Sequence, residues 1–186
     1  MQIVAIDIET TGKKPGYHEL TAICCIAFEL DTWKIGPRIK LFSRPLHLNR
    51  ITKESTQVNG FTIEDYSSYD FKHPNIVRGA FCTWVSGALE NKEIIPLGHN
   101  YQFDKSFLEK WIGKDTYDSL FHYGNERDTK KACNFLKDRG ELPKNLDSSL
   151  MSLTDHFHLP HKPHDVESDT YTTILLYKKL INLPKG

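Results

Sequence analysis

The sequence predicts an α/β fold in three layers: a mixed five-stranded sheet, its first three strands antiparallel, with helices on both faces. Three observations carry this. Apolar, β-branched runs crowd the start of the chain, apolar residues then recur at helical spacing from Ile76 onward, and strand-like runs return between those helices. At 186 residues the chain is the size of one domain with a single core, so residues 1–186 are read as one unit.

Gln2 to Ile8, rich in isoleucine and valine and followed by Thr-Thr-Gly, reads as a central strand ending in a turn. Leu20 to Leu30 and Pro37 to Phe42 flank the turn-like stretch Asp31 to Gly36 and complete the antiparallel start. Beyond a polar connector, Ile76, Val77, Ala80, Phe81, Trp84, Val85, Ala88 and Leu89 mark one face of a helix. Glu93 to Leu97 reads as a buried strand, and Phe103, Phe107, Leu108, Trp111 and Ile112 repeat the helical spacing up to a stop at Gly113. The remainder reads as a short strand near Leu120 to Tyr123 and helices at Thr129 to Leu136, Leu150 to Phe157 and Val166 to Ile181. Tyr66 to Pro74 is expected to be a mobile loop.

Lysine plus arginine number 24 and aspartate plus glutamate 24, a balance that excludes nucleic-acid binding by bulk positive charge but leaves room for a local site. No apolar run reaches the roughly 18 residues of a membrane helix, and Met1 to Ile8 carries an acid where a secretory leader has basic residues. A soluble, cytoplasmic protein is expected. Cys24, Cys25, Cys82 and Cys133 form no C-x-x-C pair and read as free thiols of a reducing compartment, the first two as packing residues.

The informative residues are acids. Asp7 and Glu9 sit two apart near the end of the first strand and so share a face. Ligands of α/β sheets bind at that edge, and two carboxylates facing the same way repel unless a cation lies between them. The same pair also serves as an ordinary turn or cap. Asp104 falls in the first turn of its helix and off the buried stripe, where an acid equally suits the helix dipole. His164 and Asp169 are five apart, too far round for one helix face, which puts the histidine on the loop before the helix and lets both reach one cavity. A surface histidine beside a capping Asp165 is the plainer alternative.

Ile6-Asp7-Ile8-Glu9-Thr10-Thr11-Gly12, the H-N-x-x-F-D of His99 to Asp104, and the H-x4-D of His164 to Asp169 together resemble the three motifs of the DEDD superfamily of 3′-5′ exonucleases. A histidine five residues before the last aspartate, with Asp165 where another branch has tyrosine, is similar to the histidine branch: polymerase proofreading subunits, oligoribonuclease and RNase T. Val58 to Thr62 resembles that branch's H-G-I-T stretch with asparagine and phenylalanine substituted. The likeness spans residue 3 to about residue 180 and implies an RNase H-like fold. It implies Asp7, Glu9, Asp104 and Asp169 as ligands of two Mg²⁺ or Mn²⁺ ions and His164 as general base. Thr10, Thr11, His99, Asn100 and Phe103 would bind the nucleotide.

The implied substrate is a single-stranded or frayed 3′ end of DNA or RNA, cut to nucleoside 5′-monophosphates; a polymerase or a second copy of the chain stays open as a partner, and a membrane is not expected. The chemistry agrees, since oxygen ligands suit hard cations and an imidazole titrates near neutrality. The competing readings are a catalytically idle nucleic-acid-binding or scaffold subunit of the same fold and a metal phosphohydrolase acting on free nucleotides.

Other features read more plainly. His156, His158 and His161 lack an acid or cysteine to complete a ligand set and read as loop surface. Six basic residues and no acid occupy Thr32 to Lys53, either a track for phosphates with Trp33 or Phe42 to stack bases, or a solvated strand edge. Lys130, Lys131, Lys137 and Arg139 are a weaker case of the same kind.

Overall fold

The computed structural model describes residues 2–68, 70–87, 94–122 and 124–183; the expected positions Ala88, Leu89, Glu93 and Tyr123 lie outside them. Strands β1 (Gln2–Thr10), β2 (Leu20–Glu29) and β3 (Ile35–Ser43) run antiparallel, as the alternating apolar runs predict. On the other side of β1, β5 (Ile95–Gly98) pairs parallel, and β6 (Arg127–Asp128) continues in parallel. With β4 (Phe71–Lys72) beside β3, the sheet order is β4-β3-β2-β1-β5-β6.

Seven α-helices are described: α1 (Lys53–Asn59), α2 (Pro74–Gly87), α3 (Gln102–Ile112), α4 (Lys114–Leu120), α5 (Thr129–Asp138), α6 (Leu150–Phe157) and α7 (Val166–Ile181). The period-two alternation of β1 sorts them into layers. Val4, Ile6 and Ile8 pack against Phe81 and Val85 of α2 and Phe107 and Leu108 of α3, while Ile3 and Ala5 pack under Val166, Ile174 and Tyr177 of α7. A strand covered on both faces reads as an unbroken apolar run, which is why β1 was legible. Each buried valine, leucine, isoleucine or phenylalanine among them contributes roughly 1.5–3 kcal/mol by leaving water. Asp7 and Glu9 belong to the odd series and therefore point toward the α7 layer. Among the described residues no helix is long and apolar enough to cross a membrane.

Three expectations are corrected. Among the described residues the sheet has six strands, not five, and none lies at Leu120 to His122: Leu120 ends α4, and Phe121 makes only an isolated bridge to Ile94. Its apolar character serves the core instead, the Phe121 ring lying 4.8 Å from that of Tyr117 on α4. The stretch Tyr66 to Pro74 is no simple loop, because Tyr66 and Phe71 are buried with ring centroids 5.2 Å apart and Phe71 lies on β4. The polar connector, finally, contains α1, started by Thr52, whose hydroxyl accepts from Ser55 N at 3.1 Å, and stopped by Gly60 at φ 72°.

β5 ends on a residue that tolerates no side chain. A Cβ at Gly98 would lie 2.7 Å from Cδ2 and 3.2 Å from Cα of Tyr101, whose buried hydroxyl is locked to that of Tyr117 at 2.7 Å. Gly98→Ala is expected to cost about 1–3 kcal/mol of unfolding free energy in urea titrations, the range for overpacking; an unchanged midpoint would show that the turn after β5 can yield.

Candidate active site

The C-terminal ends of β1 and β5 open into a cleft of about 290 Å³. It brings together Asp7, Glu9, Thr10, His99, Asn100, Phe103, Asp104, His164 and Asp169, which are all but one of the residues singled out from sequence. Thr11 does not line it. Its side chain is fully buried and its hydroxyl accepts from Glu19 N at 2.9 Å, tying the end of β1 to the start of β2. Thr10 lines the cleft with its hydroxyl already donating to Gly12 O at 2.7 Å.

Two of the acids, Asp104 and Asp169, accept backbone N–H groups. Asp104, in the first turn of α3, accepts the N–H of Ile8 from β1. The turn carrying His99 and Asn100 is fixed by Asp128, a residue the sequence reading passed over. One Asp128 oxygen accepts from Asn100 N at 3.1 Å and from Lys130 N and Lys131 N of α5, and the other accepts from Tyr101 N at 3.1 Å. Asn100 is thereby kept at φ 64°, in the left-handed region that asparagine tolerates better than most residues. The available signal was Asp-Thr ahead of a helical run, an N-cap pattern.

Asp169 is gripped at both oxygens. Oδ2 accepts from the backbone N of His164 at 3.1 Å, and Oδ1 lies 2.6 Å from Nε2 of His161. His161 is thus not loop surface: its side chain is 7% exposed, and its Nδ1 lies 3.2 Å from the Thr154 hydroxyl of α6. The connector that carries it is seated by Thr172 of α7, whose hydroxyl donates to Pro160 O at 2.8 Å. His164 itself sits at φ 63° on the loop that Asp165 closes by capping α7, accepting from Glu167 N and Ser168 N.

Part of the basic stretch is engaged within the fold. Arg38 pairs with Glu167 at 3.0 Å, and Lys40 lies 3.6 Å from Asp165 and 3.7 Å from Glu167, so both brace the start of α7. Trp33 stacks on Phe28 under Lys178, and Phe42 is packed against Phe61 and Phe71; neither is free to stack a base. On α5, Lys137 is turned inward to Leu146 O and the Ser148 hydroxyl. Cys24 and Cys25 are buried, and burial pushes the Cys24 thiol up to about 12, which makes it a packing group.

Burial, and then the neighbouring Asp104, Glu9 and Asp169, hold the Asp7 carboxyl well above the usual range. Burial likewise raises Asp104. Glu9 is pushed up to about 8, first by burial and then by Asp169 and Asp165. Asp169 is raised by burial, against the lowering effect of His161 and His164. Among the described residues no lysine or arginine forms an ion pair with any of the four. Ligand atoms of Glu9, His164 and Asp169 fall within 4.8 Å of one another. Converging carboxylates without a basic partner, plus one imidazole, fit a divalent cation, whose charge would favour the ionised forms that burial, and then mutual repulsion, disfavour.

Two outcomes follow. Between about pH 4.5 and 8 the folded metal-free protein retains on Glu9 a proton that the unfolded chain has released, so its stability falls as pH rises through that window. Calorimetry should give a lower Tm near pH 8 than near pH 5, with Mn²⁺ restoring most of the difference; a flat profile would mean the carboxylates ionise freely. His161→Ala is expected to weaken Mn²⁺ binding, read by calorimetric titration, by about 10–100-fold, the usual effect of removing a hydrogen bond to a ligand, with partial recovery in His161→Gln.

The family model described as exonuclease, RNase_T, matches residues 4–177. No curated protein matches the sequence significantly. Among solved structures, an exonuclease I superposes with TM-score 0.78 at 17% identity over 97% of this chain and 40% of its own. An E. coli exonuclease I with single-stranded DNA and zinc gives 0.77 at 19% over 97% and 41%, and cell-death related nuclease 4 gives 0.74 at 18% over 97% and 64%. The chain thus spans about two fifths of the exonuclease I chains it matches. At these identities the likeness establishes the fold, the RNase H-like sheet of exonuclease I.

Proposed function

Because this chain belongs to the RNase T exonuclease family within the DEDD superfamily, we propose that it is a metal-dependent 3′-5′ exonuclease of the histidine branch, releasing nucleoside 5′-monophosphates from single-stranded or frayed ends of DNA or RNA. The observation that carries this is the convergence of Asp7, Glu9, Asp104 and Asp169 with His164 in one confined cleft at the C-terminal edge of the sheet. A phosphohydrolase of free nucleotides would use the same groups, but a polymer substrate is supported by one of the superposed exonuclease I structures, a complex with single-stranded DNA.

Asp7, Glu9, Asp104 and Asp169 would hold Mg²⁺ or Mn²⁺, and such ions when bound acidify water and neutralise the phosphate. His164 stands close to Glu9 and Asp169 on a loop outside α7, where its imidazole takes the proton of the attacking water. His164 donates its backbone N–H to Asp169, so base and acid keep a fixed spacing. Phe103, braced by Phe107 with centroids 5.0 Å apart, offers a rigid apolar wall for the terminal base. His99, neutral because burial lowers it to about 4, and Asn100 line the rest of the nucleotide pocket, and the backbone at Thr10 receives the terminal 3′-hydroxyl.

With Mg²⁺ or Mn²⁺, 5′-labelled DNA and RNA oligomers should shorten stepwise from the 3′ end. Asp7→Asn should stop turnover while leaving circular dichroism unchanged, and His164→Ala should lower kcat by about 10²–10⁴-fold, the range for a lost general base. Oligomers that are bound but stay intact would favour the idle binding subunit, and mononucleotide hydrolysis alone would favour the phosphohydrolase.

A further inference from the structure

A second cavity, of about 250 Å³, lies on the outer side of the β1–β2 connection and is lined by Tyr17, Glu19, Ser43, His47, Arg50 and Lys110. It adjoins the catalytic cleft through thin walls. Gly12 of the cleft packs so tightly on His18 of the cavity that a Cβ there would fall 2.7 Å from the imidazole, and Phe103 of the cleft packs against Phe107 of the cavity.

The cavity's charges are unevenly satisfied. Its carboxylate, Glu19, is occupied: Oε1 and Oε2 accept from the backbone N of Leu46 and His47, at 3.1 and 2.9 Å, and the His47 ring lies 3.4 Å away. Its cations are not. Among the described residues neither Arg50 nor Lys110 forms an ion pair with a carboxylate. The Arg50 guanidinium lies 4.9 Å from the centroid of Tyr17 and bonds only the Tyr17 carbonyl, at 3.3 Å, and Lys14 also lies over that ring, at 5.7 Å. An aromatic face thus gathers positive charge at the rim of the cavity. In the wall, the Ser43 hydroxyl is sealed from solvent and has no hydrogen-bond partner among the described residues. Unpaired cations around a concavity beside an unmet donor suit an anion.

We propose that this cavity is a second substrate subsite, holding a backbone phosphate of the single strand upstream of the nucleotide in the catalytic cleft. The inference rests on the nuclease reading for the strand's identity, but not for the anion's. Arg50 and Lys110 are the phosphate ligands, and Glu19 is engaged by the backbone N–H groups of Leu46 and His47 rather than by either of them. A strand too short to span the Gly12–His18 wall gains nothing from the subsite, whereas a longer one does.

The test is fluorescence anisotropy with 5′-fluorescein-labelled oligothymidylates, a trinucleotide and a dodecanucleotide, with Ca²⁺ in place of Mg²⁺. The combined Arg50→Ala and Lys110→Ala variant should raise the Kd of the dodecanucleotide about tenfold and flatten its dependence on salt, with the trinucleotide Kd moving less than about twofold. Lys110→Glu, a change at an exposed position, should act in the same direction if the double variant folds poorly. Equal losses for the two lengths, no loss for either, or no binding of the dodecanucleotide by the unaltered protein would overturn the subsite. Length-selective loss without turnover in Mg²⁺ would keep the subsite and overturn the exonuclease, and turnover without length selectivity would do the reverse.

Discussion

Four carboxylates held together out of water repel one another, and the rest of this structure keeps them there. A loosely tethered set would separate and hydrate. Here Asp7 and Glu9 ride on a strand buried on both faces, Asp104 is pinned by a backbone N–H from that same strand, and Asp169 is held at both oxygens by His161 and His164. The cost appears as raised carboxyl pKa values. Such strain is stored where a cation of high charge would release it.

What the sequence disclosed follows from this division of labour. β1 was readable because two-sided burial demands an unbroken apolar run, and the place of Asp7 and Glu9 on one face follows from period two alone. Val166 to Ile181 was readable for the matching reason, a helix whose apolar stripe covers that strand. The motif residues therefore came with their geometry.

The supports were less legible, because they act through hydrogen bonds that leave no periodic trace. β6 is two residues long and owes its place to the bonds of one carboxylate, Asp128. His161 sits in a polar, histidine-rich stretch that looks exposed, and only the folding of that stretch beneath α6 and α7 buries it. The run around Phe121 has strand-like composition, yet its apolar residues are spent in the core at the end of α4. Charge was ambiguous in a similar way: the spacing of Arg38 and Lys40 suited a phosphate backbone or a solvated strand edge, and the fold pairs them with the acidic start of α7.

The order of the chain has its own consequence. Asp7 and Asp169 are separated by almost the whole length of the domain. β1 must wait for β5, nearly ninety residues later, to gain its parallel neighbour, and for α7 to gain its cover. A nascent chain that stops short of α7 lacks Asp169 and so has only part of the acidic cleft. On the proposed reading, a nascent chain cannot hydrolyse a strand until α7 has folded onto β1, and hydrolysis is the last property this domain acquires.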